Sequence, residues 1–122
     1  MAIINTDGTA VKGLIIFPDS YAGGSPAGVT WGTINDKSTF NTTCTSAGWT
    51  ALEAAGCVFL PAVGYREAST VKEAGVGGGY WSSSSSNAAG YAVGLYFESD
   101  YMNIYGCSRK YGYSVRLVRD AN

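Results

Sequence analysis

One segment of the sequence has the pattern of a helix, and the other apolar segments have the patterns of strands. The helical segment, TSAGWTALEAAGC, covers residues 45–57. Ser46 can act as its N-cap, and Gly56 stands where a C-cap glycine belongs. One face of this helix carries three apolar residues, namely Trp49, Leu52 and Ala55. A chain with one short helix and several strands is restricted to a small set of folds.

Two continuous apolar runs predict buried strands. VKGLIIFPD, at 11–19, predicts a central strand that is covered on both faces and ends before Pro18. CVFLPAVGYR, at 57–66, predicts a second buried strand. Pro61 within it indicates an edge position or a bulge, because proline cannot donate a ladder hydrogen bond.

Two later segments alternate between apolar and polar residues, as strands with one buried face do. They are GYAVGLYFESD, at 90–100, and YGYSVRLVRD, at 111–120. The expected inward-facing residues are Val93, Leu95 and Phe97 in the first segment and Val115 and Leu117 in the second.

Three other segments are interpreted as loops. Residues 20–45 predict a long ordered loop anchored by Trp31 and Phe40. Residues 67–79 predict a polar connection, and its final glycines favour flexibility. Residues 101–111, YMNIYGCSRKY, predict a polar, aromatic loop. The order of strand, long loop, helix and further strands predicts an α+β fold with a small antiparallel sheet.

The composition excludes several classes of partner and disfavours catalysis. The net charge of −1 gives no electrostatic basis for binding a nucleic acid or an anionic membrane. No stretch is apolar for long enough to span a membrane, and the N-terminus lacks the regions of a signal peptide. Histidine, the commonest general base and metal ligand, is absent. Glu98 and Asp100 are more typical of solvated acids than of a catalytic pair. We expect no metal, no cofactor and no enzymatic activity.

Three cysteines leave at least one thiol unpaired, and their spacing fits no metal or redox motif. Cys44 and Cys57 flank the predicted helix. The sequence leaves open whether they form a disulfide or are buried free thiols. Cys107 falls in the segment predicted as an exposed loop.

Tyrosine is concentrated in the last third of the chain, where serine and asparagine accompany it. Seven of the nine tyrosines lie between residues 80 and 113. Tyrosine gives a binding surface large and fairly rigid contact area, although ordinary strands are also rich in it. We interpret this region as a ligand-binding surface. Its candidate residues are Ser84, Ser85, Ser86, Asn87, Tyr91, Tyr96, Asp100, Tyr101, Asn103, Tyr105, Ser108 and Tyr111.

Five residues near this region and in the helix are assigned to the scaffold. They are Trp49, Trp81, Ser82, Ser83 and Arg116. We expect the Trp81 indole to fill the core, and the hydroxyls of Ser82 and Ser83 to bond backbone groups.

Several motifs resemble those of a known family. They are GLIIFPDSY, WTALEAAGCVFLPAVGYR, GGYWSSSSS, GLYF and YGYSVRLVRD, and they extend from about Val11 to Asp120. The set resembles the Fibrobacter succinogenes major paralogous domain, a family of exported proteins of gut Bacteroidetes. The resemblance implies a C-type-lectin-like fold with one or two short helices, long ordered loops and paired chain ends, so that VRLV would lie beside GLIIF. The calcium-binding triplets of lectins and the catalytic cysteines of formylglycine-generating enzymes have no counterpart here.

Proteins diversified by retroelements, including gut phage and Bacteroides proteins, use the same scaffold and vary its C-terminal part. The runs SSSNAAGY and NIYGCS consist wholly of residues that adenine-directed mutagenesis of AAC-type codons can reach. The resemblance therefore implies one domain over residues 1–122, with the scaffold mainly at 11–83 and 112–120. The candidate variable region is 84–111.

These expectations combine into a non-enzymatic binding domain of receptor or adhesin type. Its ligand would be a protein or a glycan, and its location a cell surface, the extracellular space or a phage virion. The alternative is a structural domain of a bacterial surface lipoprotein or fimbria-like assembly, in which the Tyr/Ser surface packs on a neighbouring chain. The oligomeric state is open, with a monomer favoured.

Overall fold

The computed structural model describes residues 2–6, 9–32, 42–99 and 101–117. Over these ranges the chain is mostly β-structure, with one short helix and three small sheets. All neighbouring strands are antiparallel except one pair. The predicted short helix and antiparallel strands are confirmed, but the strands form three small sheets and not one, and they dominate more than the predicted α+β class indicated.

The first sheet has five strands in the order β3–β4–β1–β2–β5. Their bounds are β1 Ala2–Thr6, β2 Thr9–Ile16, β3 Val29–Thr30, β4 Thr42–Thr45 and β5 Val58–Pro61. The parallel pair is β1 with β4. Strand β2 lies between β1 and β5 and is covered on both faces, as predicted: Leu14 packs into one apolar cluster and Ile15 against another.

Strand β5 forms the edge of this sheet, and Pro61 is its last residue, as the proline predicted. The prediction of a continuous loop at 20–45 is wrong, because β3 and β4 lie within that range and pair with each other. Trp31 anchors the preceding turn by donating from Nε1 to the Gly24 carbonyl at 3.2 Å. Phe40 lies outside the described residues.

The N-cap of helix α1 (Ser46–Ala54) lies one residue earlier than predicted. Thr45, not Ser46, is the N-cap, and its hydroxyl accepts from the Gly48 amide at 3.1 Å. The predicted C-terminal glycine is confirmed: Gly56 has φ +88°, and the amides of Gly56 and Cys57 donate to the Glu53 and Leu52 carbonyls.

The buried face of α1 differs in part from the predicted one. Leu52 is fully buried, and Trp49 packs against Phe59 with ring centroids 5.7 Å apart. Ala55 is exposed because it is already the C-cap residue. The second buried residue of the helix is Gly48, where a Cβ would lie 2.9 Å from the Gly28 backbone.

The second sheet is a three-stranded meander of β8 (Gly77–Ser85), β9 (Tyr91–Glu98) and β10 (Met102–Ser108), with β9 in the centre. The strand predicted over β9 is confirmed, but its alternation is not: Gly94 and Tyr96, expected to face outward, are buried, and Val93 and Leu95 are only partly buried. Two other predictions are wrong: residues 77–79 are not a flexible loop but begin β8, and YMNIYGCS is not a loop but mainly β10. The glycines are buried and closely covered, since a Cβ at Gly79 would lie 2.6 Å from the Tyr113 ring.

The third sheet joins a hairpin to the C-terminal part of the chain. Its strands are β6 (Tyr65–Glu67), β7 (Thr70–Lys72) and β11 (Tyr111–Gly112) in the order β11–β6–β7. The Lys72 ammonium and the Glu67 carboxylate are 2.6 Å apart across the hairpin. Their hydrogen bond lowers the pKa of Glu67, although this pair is open to solvent.

The strand predicted over 111–120 is wrong for 113–117, and 118–120 lie outside the described residues. Between β11 and residue 117, Ser114 forms an isolated bridge to Tyr80, and 115–117 form no strand. Val115 and Leu117 point outward, with 68% and 90% of their surfaces exposed. The implied pairing of VRLV with GLIIF is also absent from the described residues, because β2 is already bonded to β1 and β5.

Two apolar clusters form the core, one on each side of the first sheet. Leu14, Leu60, Ala62, Tyr80 and Phe97 join it to the second sheet. Val29, Cys44, Leu52 and Cys57 join it to the helix. All three cysteines are buried free thiols, so Cys44 and Cys57 form no disulfide. The prediction that Cys107 lies in an exposed loop is wrong, because Cys107 is buried.

Candidate functional site

The two faces of the second sheet have different chemistry because successive side chains in a strand point to opposite sides. One face carries Tyr96 from β9 and its cross-strand neighbours Asn103 and Gly79. We call this the tyrosine face. It consists of Tyr96, Asn103 and Tyr105 with the rings that pack beside them, Tyr65, Trp81, Tyr101, Tyr111 and Tyr113. The core-side face carries Tyr80, Leu95, Phe97 and Ile104.

Ring contacts join the tyrosine face into one cluster, in which Tyr65 is central. The Tyr65 centroid lies 6.1 Å from that of Tyr96, 5.5 Å from Tyr111 and 5.7 Å from Tyr113, each in an edge-to-face arrangement. Tyr113 also contacts the Trp81 ring at 4.7 Å. Such pairs add to the stabilisation from burial and restrict the rings to fixed positions.

The Tyr96 hydroxyl lies between two carboxylates beneath this surface. It hydrogen-bonds Glu73 Oε2, from the turn after β7, and Glu98 Oε1, from the end of β9. Burial raises the pKa of Tyr96, and the hydrogen bonds to both carboxylates raise it further. Tyr96 therefore keeps its proton at neutral pH and ties the β7–β8 turn to the sheet.

A second hydrogen-bonded group lies further along the sheet. The side chains of Tyr105, Cys107 and Tyr113 interact, and burial raises the pKa of the Tyr113 hydroxyl. Asn103 is held from both sides: its Nδ2 donates to the Tyr101 hydroxyl at 3.0 Å, and its Oδ1 accepts from the Ile104 amide at 2.8 Å. The second bond occupies an amide on β10, which is an edge strand of the described sheet.

The structure brings some of the predicted site residues together on the tyrosine face. Tyr101 and Tyr105 are 45% and 40% exposed, and Asn103 lies between them with its side chain open to solvent. Tyr111 is half-buried, and the Lys110 ammonium lies 5.5 Å above its ring. Tyr96 is only 8% exposed, so it supports this surface from below.

Other predicted site residues lie elsewhere. Tyr91 and Ser108 are cross-strand neighbours on the core-side face, and Ser86 lies beside them, near Gly106. Ser84, Ser85 and Asn87 are exposed at the end of β8 and in the turn after it. The single surface predicted from residue 84 to 111 is thus divided between the two faces of a sheet. Asp100 lies outside the described residues.

Of the residues assigned to the scaffold, some have the predicted contacts and others do not. Ser82 behaves as predicted, since its hydroxyl donates to the Val93 carbonyl at 2.9 Å and accepts from the Ser84 amide at 3.1 Å. Trp81 is half-buried against Tyr113, and the core position belongs to its neighbour Tyr80. Ser83 and Arg116 are exposed.

Three residues of the site were not predicted from the sequence. Tyr65 and Tyr113 lie in the segments predicted as scaffold strands, and Glu73 lies in the segment predicted as a flexible connection. In the structure, Glu73 has a φ of +58°, which is unusual for a residue with a side chain and belongs to the turn that presents its carboxylate.

Within the described ranges, no group of three or more histidine, cysteine, aspartate or glutamate side chains is placed to hold a metal ion. Among the same residues, no helix has both the length and the apolar character needed to cross a membrane.

Comparison with known proteins gives one family. No curated protein and no solved structure matches the chain. A family model does match, and it covers residues 15–118, which include the tyrosine face and most of both apolar clusters. The chain therefore belongs to the family described as Domain of unknown function (DUF8237).

Proposed function

We propose that this protein is a non-enzymatic binding domain whose ligand contacts the tyrosine face, centred on Tyr101, Asn103 and Tyr105. The observation that carries the proposal is the combination of exposure and fixed position. These three side chains are exposed, yet Tyr101 packs on the buried Tyr96 ring at 6.2 Å, and its hydroxyl accepts a hydrogen bond from Asn103 Nδ2.

A surface of this kind binds well because little freedom is lost when a ligand arrives. Each immobilised flexible side chain costs about 0.5–1.5 kcal/mol on binding, and the rings here are already held by neighbours. Tyrosine then offers an apolar ring and a polar hydroxyl at the same point, and Asn103 retains unused hydrogen-bonding capacity. The chemistry suits the face of a sugar ring or an exposed loop of a protein.

The finer parts of the proposal rest on the resemblance in sequence. We propose a C-type-lectin-like scaffold, a location on a cell surface, outside the cell or on a virion, and diversification of residues 84–111 by a retroelement. The position of Tyr101, Asn103 and Tyr105 on one strand and its hairpin turn supports the last point, because changes there leave the two core clusters untouched.

The proposal is tested by screening the protein on arrayed oligosaccharides and arrayed bacterial surface proteins. The probe variant is Tyr101→Ala/Tyr105→Ala, and the matched control is Tyr91→Ala, which removes a tyrosine of similar exposure, 44%, from the other face. We expect the double variant to lose the ligands that the wild type binds, and the control to keep them. Loss of the folded state in the double variant, or equal binding by both variants, would contradict the proposal.

A further inference from the structure

We propose a second binding site, separate from the tyrosine face, that takes a small amphipathic acid: a molecule with an apolar body and one anionic group. The site is a cavity of about 600 Å³ between the edge of the first sheet and the core-side face of the second. That volume is within the range of small-molecule pockets. Its apolar lining consists of Ile16, Val58, Leu60, Leu95, Val115 and Leu117.

The cavity and the exposed tyrosines of the tyrosine face lie on opposite sides of the second sheet, although Trp81, whose ring packs on Tyr113, belongs to that face and also lines the cavity. Tyr80 and Leu95 are cross-strand neighbours that point away from the tyrosine face, and both line the cavity. A ligand in the cavity would therefore not cover Tyr101 or Tyr105. The two sites can be tested independently.

The inner wall of the cavity is rigid and apolar. Leu60 and Tyr80 are 4% and 7% exposed and belong to the core cluster. The Tyr80 hydroxyl donates to the Pro61 carbonyl at 2.7 Å, so its polar atom is satisfied and its ring contributes apolar surface. An apolar ligand group that contacts this wall therefore leaves no protein polar group without its hydrogen bond.

The outer part of the cavity is apolar surface that water covers in the free protein. Ile16, Val115 and Leu117 are 42%, 68% and 90% exposed, although all three line the same space. Burial of apolar surface is favourable by roughly 25 cal/mol per Å², so a ligand body that covers these side chains gains affinity from each of them.

The polar groups of the lining select the charge of the ligand. Arg116 is the charged residue that lines the cavity, and it pairs with no carboxylate among the described residues. The Ser83 hydroxyl lines the cavity as well and makes no hydrogen bond within the described part of the chain. A guanidinium and a hydroxyl at an apolar cavity together favour a carboxylate or sulfonate.

Two fluorescent probes of matched shape test this proposal. Anilinonaphthalene sulfonate has the apolar body and the acid, and N-phenylnaphthylamine has the same ring systems without a charge. We expect the wild type to bind both in saturable fashion, one molecule per chain. Leu117→Ser should weaken both about tenfold. Arg116→Gln should weaken only the sulfonate, by about tenfold.

The controls separate loss of the cavity from loss of the fold. Val71→Ser removes an apolar side chain of 56% exposure outside the cavity and should change neither affinity. Near-UV circular dichroism must match that of the wild type, because partly folded proteins also bind such probes. Val115→Ser provides a second variant if Leu117→Ser loses this signal.

Three results would overturn the proposal. They are the absence of saturable binding of either probe, unchanged affinities in Leu117→Ser and Val115→Ser, and equal weakening of both probes by Arg116→Gln. Sedimentation velocity adds a fourth: if the wild type is a dimer that each probe dissociates, the cavity is an interface between two copies and not a site for a small acid.

Discussion

At Gly79 the absence of a side chain allows an aromatic ring to approach the backbone of the second sheet. A Cβ there would lie 2.6 Å from the Tyr113 ring, and one at Gly94 would lie 3.2 Å from the same ring. Tyr113 in turn contacts Trp81 and Tyr65. Gly79 therefore serves close packing, and local sequence cannot reveal this because the ring comes from a distant segment.

Replacing Gly79 with alanine should destabilise the protein by about 1–3 kcal/mol, since the added methyl displaces the Tyr113 ring. The measurement is urea unfolding followed by fluorescence. Gly106→Ala is the matched control in the same sheet, because its Cβ would meet the Ser86 hydroxyl at 3.3 Å and the Tyr91 side chain at 3.9 Å, and no backbone or ring more closely. We expect the control to lie within about 0.5 kcal/mol of the wild type. Equal losses in both variants would show that ring packing is not the cause.

The hydroxyl of Tyr96 gives the protein a pH dependence at the alkaline end. Burial, then the neighbouring carboxylates of Glu73 and Glu98, raise its pKa above the value in the unfolded chain. The folded state therefore binds more protons than the unfolded state once the pH exceeds about 10. Stability contributed by this group is complete below that pH and is lost as the pH rises further.

Tyr96→Phe should reduce the alkaline loss of unfolding free energy by up to about 1.4 kcal/mol per pH unit. The reason is that phenylalanine has no proton that the folded state keeps and the unfolded state releases. Urea unfolding at several pH values between about 8 and 11 measures the slope. The Tyr96→Phe variant keeps a residual slope from the other tyrosines whose pKa is raised, namely Tyr65, Tyr80, Tyr105 and Tyr113. An unchanged slope in Tyr96→Phe would contradict the role given to its hydroxyl.

At the scale of elements, alternation predicted strands wherever one face is plainly apolar. β9 is a strand, as its alternation predicted, although both of its faces are covered: Phe97 is buried on one, and Gly94 and Tyr96 are buried on the other. β10 was not predicted as a strand because its sequence does not alternate between apolar and polar residues: Ile104 lies on one face and Tyr105 on the other. The segment 115–117 has the alternation but no strand, since a strand also needs a backbone partner, which sequence periodicity cannot supply.

Helix α1 depends on a cap that the sequence placed one residue too late. Thr45→Ala should destabilise the protein by about 1 kcal/mol because it removes the acceptor of the Gly48 amide. Thr45→Ser keeps that hydroxyl and should retain most of the stability. Thermal or urea unfolding of the two variants distinguishes them. A loss in Thr45→Ser as large as in Thr45→Ala would show that the threonine methyl, and not the cap, is responsible.

At the scale of the whole molecule, the core clusters were largely predictable and the site was not. Leu14, Leu60 and Phe97 belong to predicted strands and meet in one cluster. The tyrosine face needs Tyr65 from the third sheet, which contacts Tyr96 on the second sheet, and Tyr113 from the segment after β11, which contacts Tyr65; only the tertiary fold brings these rings together. The sequence shows that the region is rich in tyrosine. That Tyr91 and Ser86 lie on the opposite face of the sheet, however, depends on the register of β9 and β10.

The free cysteines provide a test of this core. Cys44, Cys57 and Cys107 are all buried, and burial raises the pKa of the Cys44 and Cys57 thiols, so the reactive thiolate is scarce in the native state. A thiol reagent at neutral pH should react with none of them in the folded protein and with all three after unfolding in denaturant. A single reactive thiol after unfolding would mean that Cys44 and Cys57 are bonded.

Protection of individual tyrosines by a bound ligand tests the proposed binding surface most directly. Tyr101 and Tyr91 have nearly equal exposure, 45% and 44%, on opposite faces of one sheet. The protein is treated with tetranitromethane in the free state and with a saturating ligand from the arrays, and nitration is mapped by mass spectrometry. We predict that the ligand protects Tyr101 and Tyr105 and leaves Tyr91 as reactive as before. Protection of Tyr91 with continued nitration of Tyr101 and Tyr105 would contradict the proposed function.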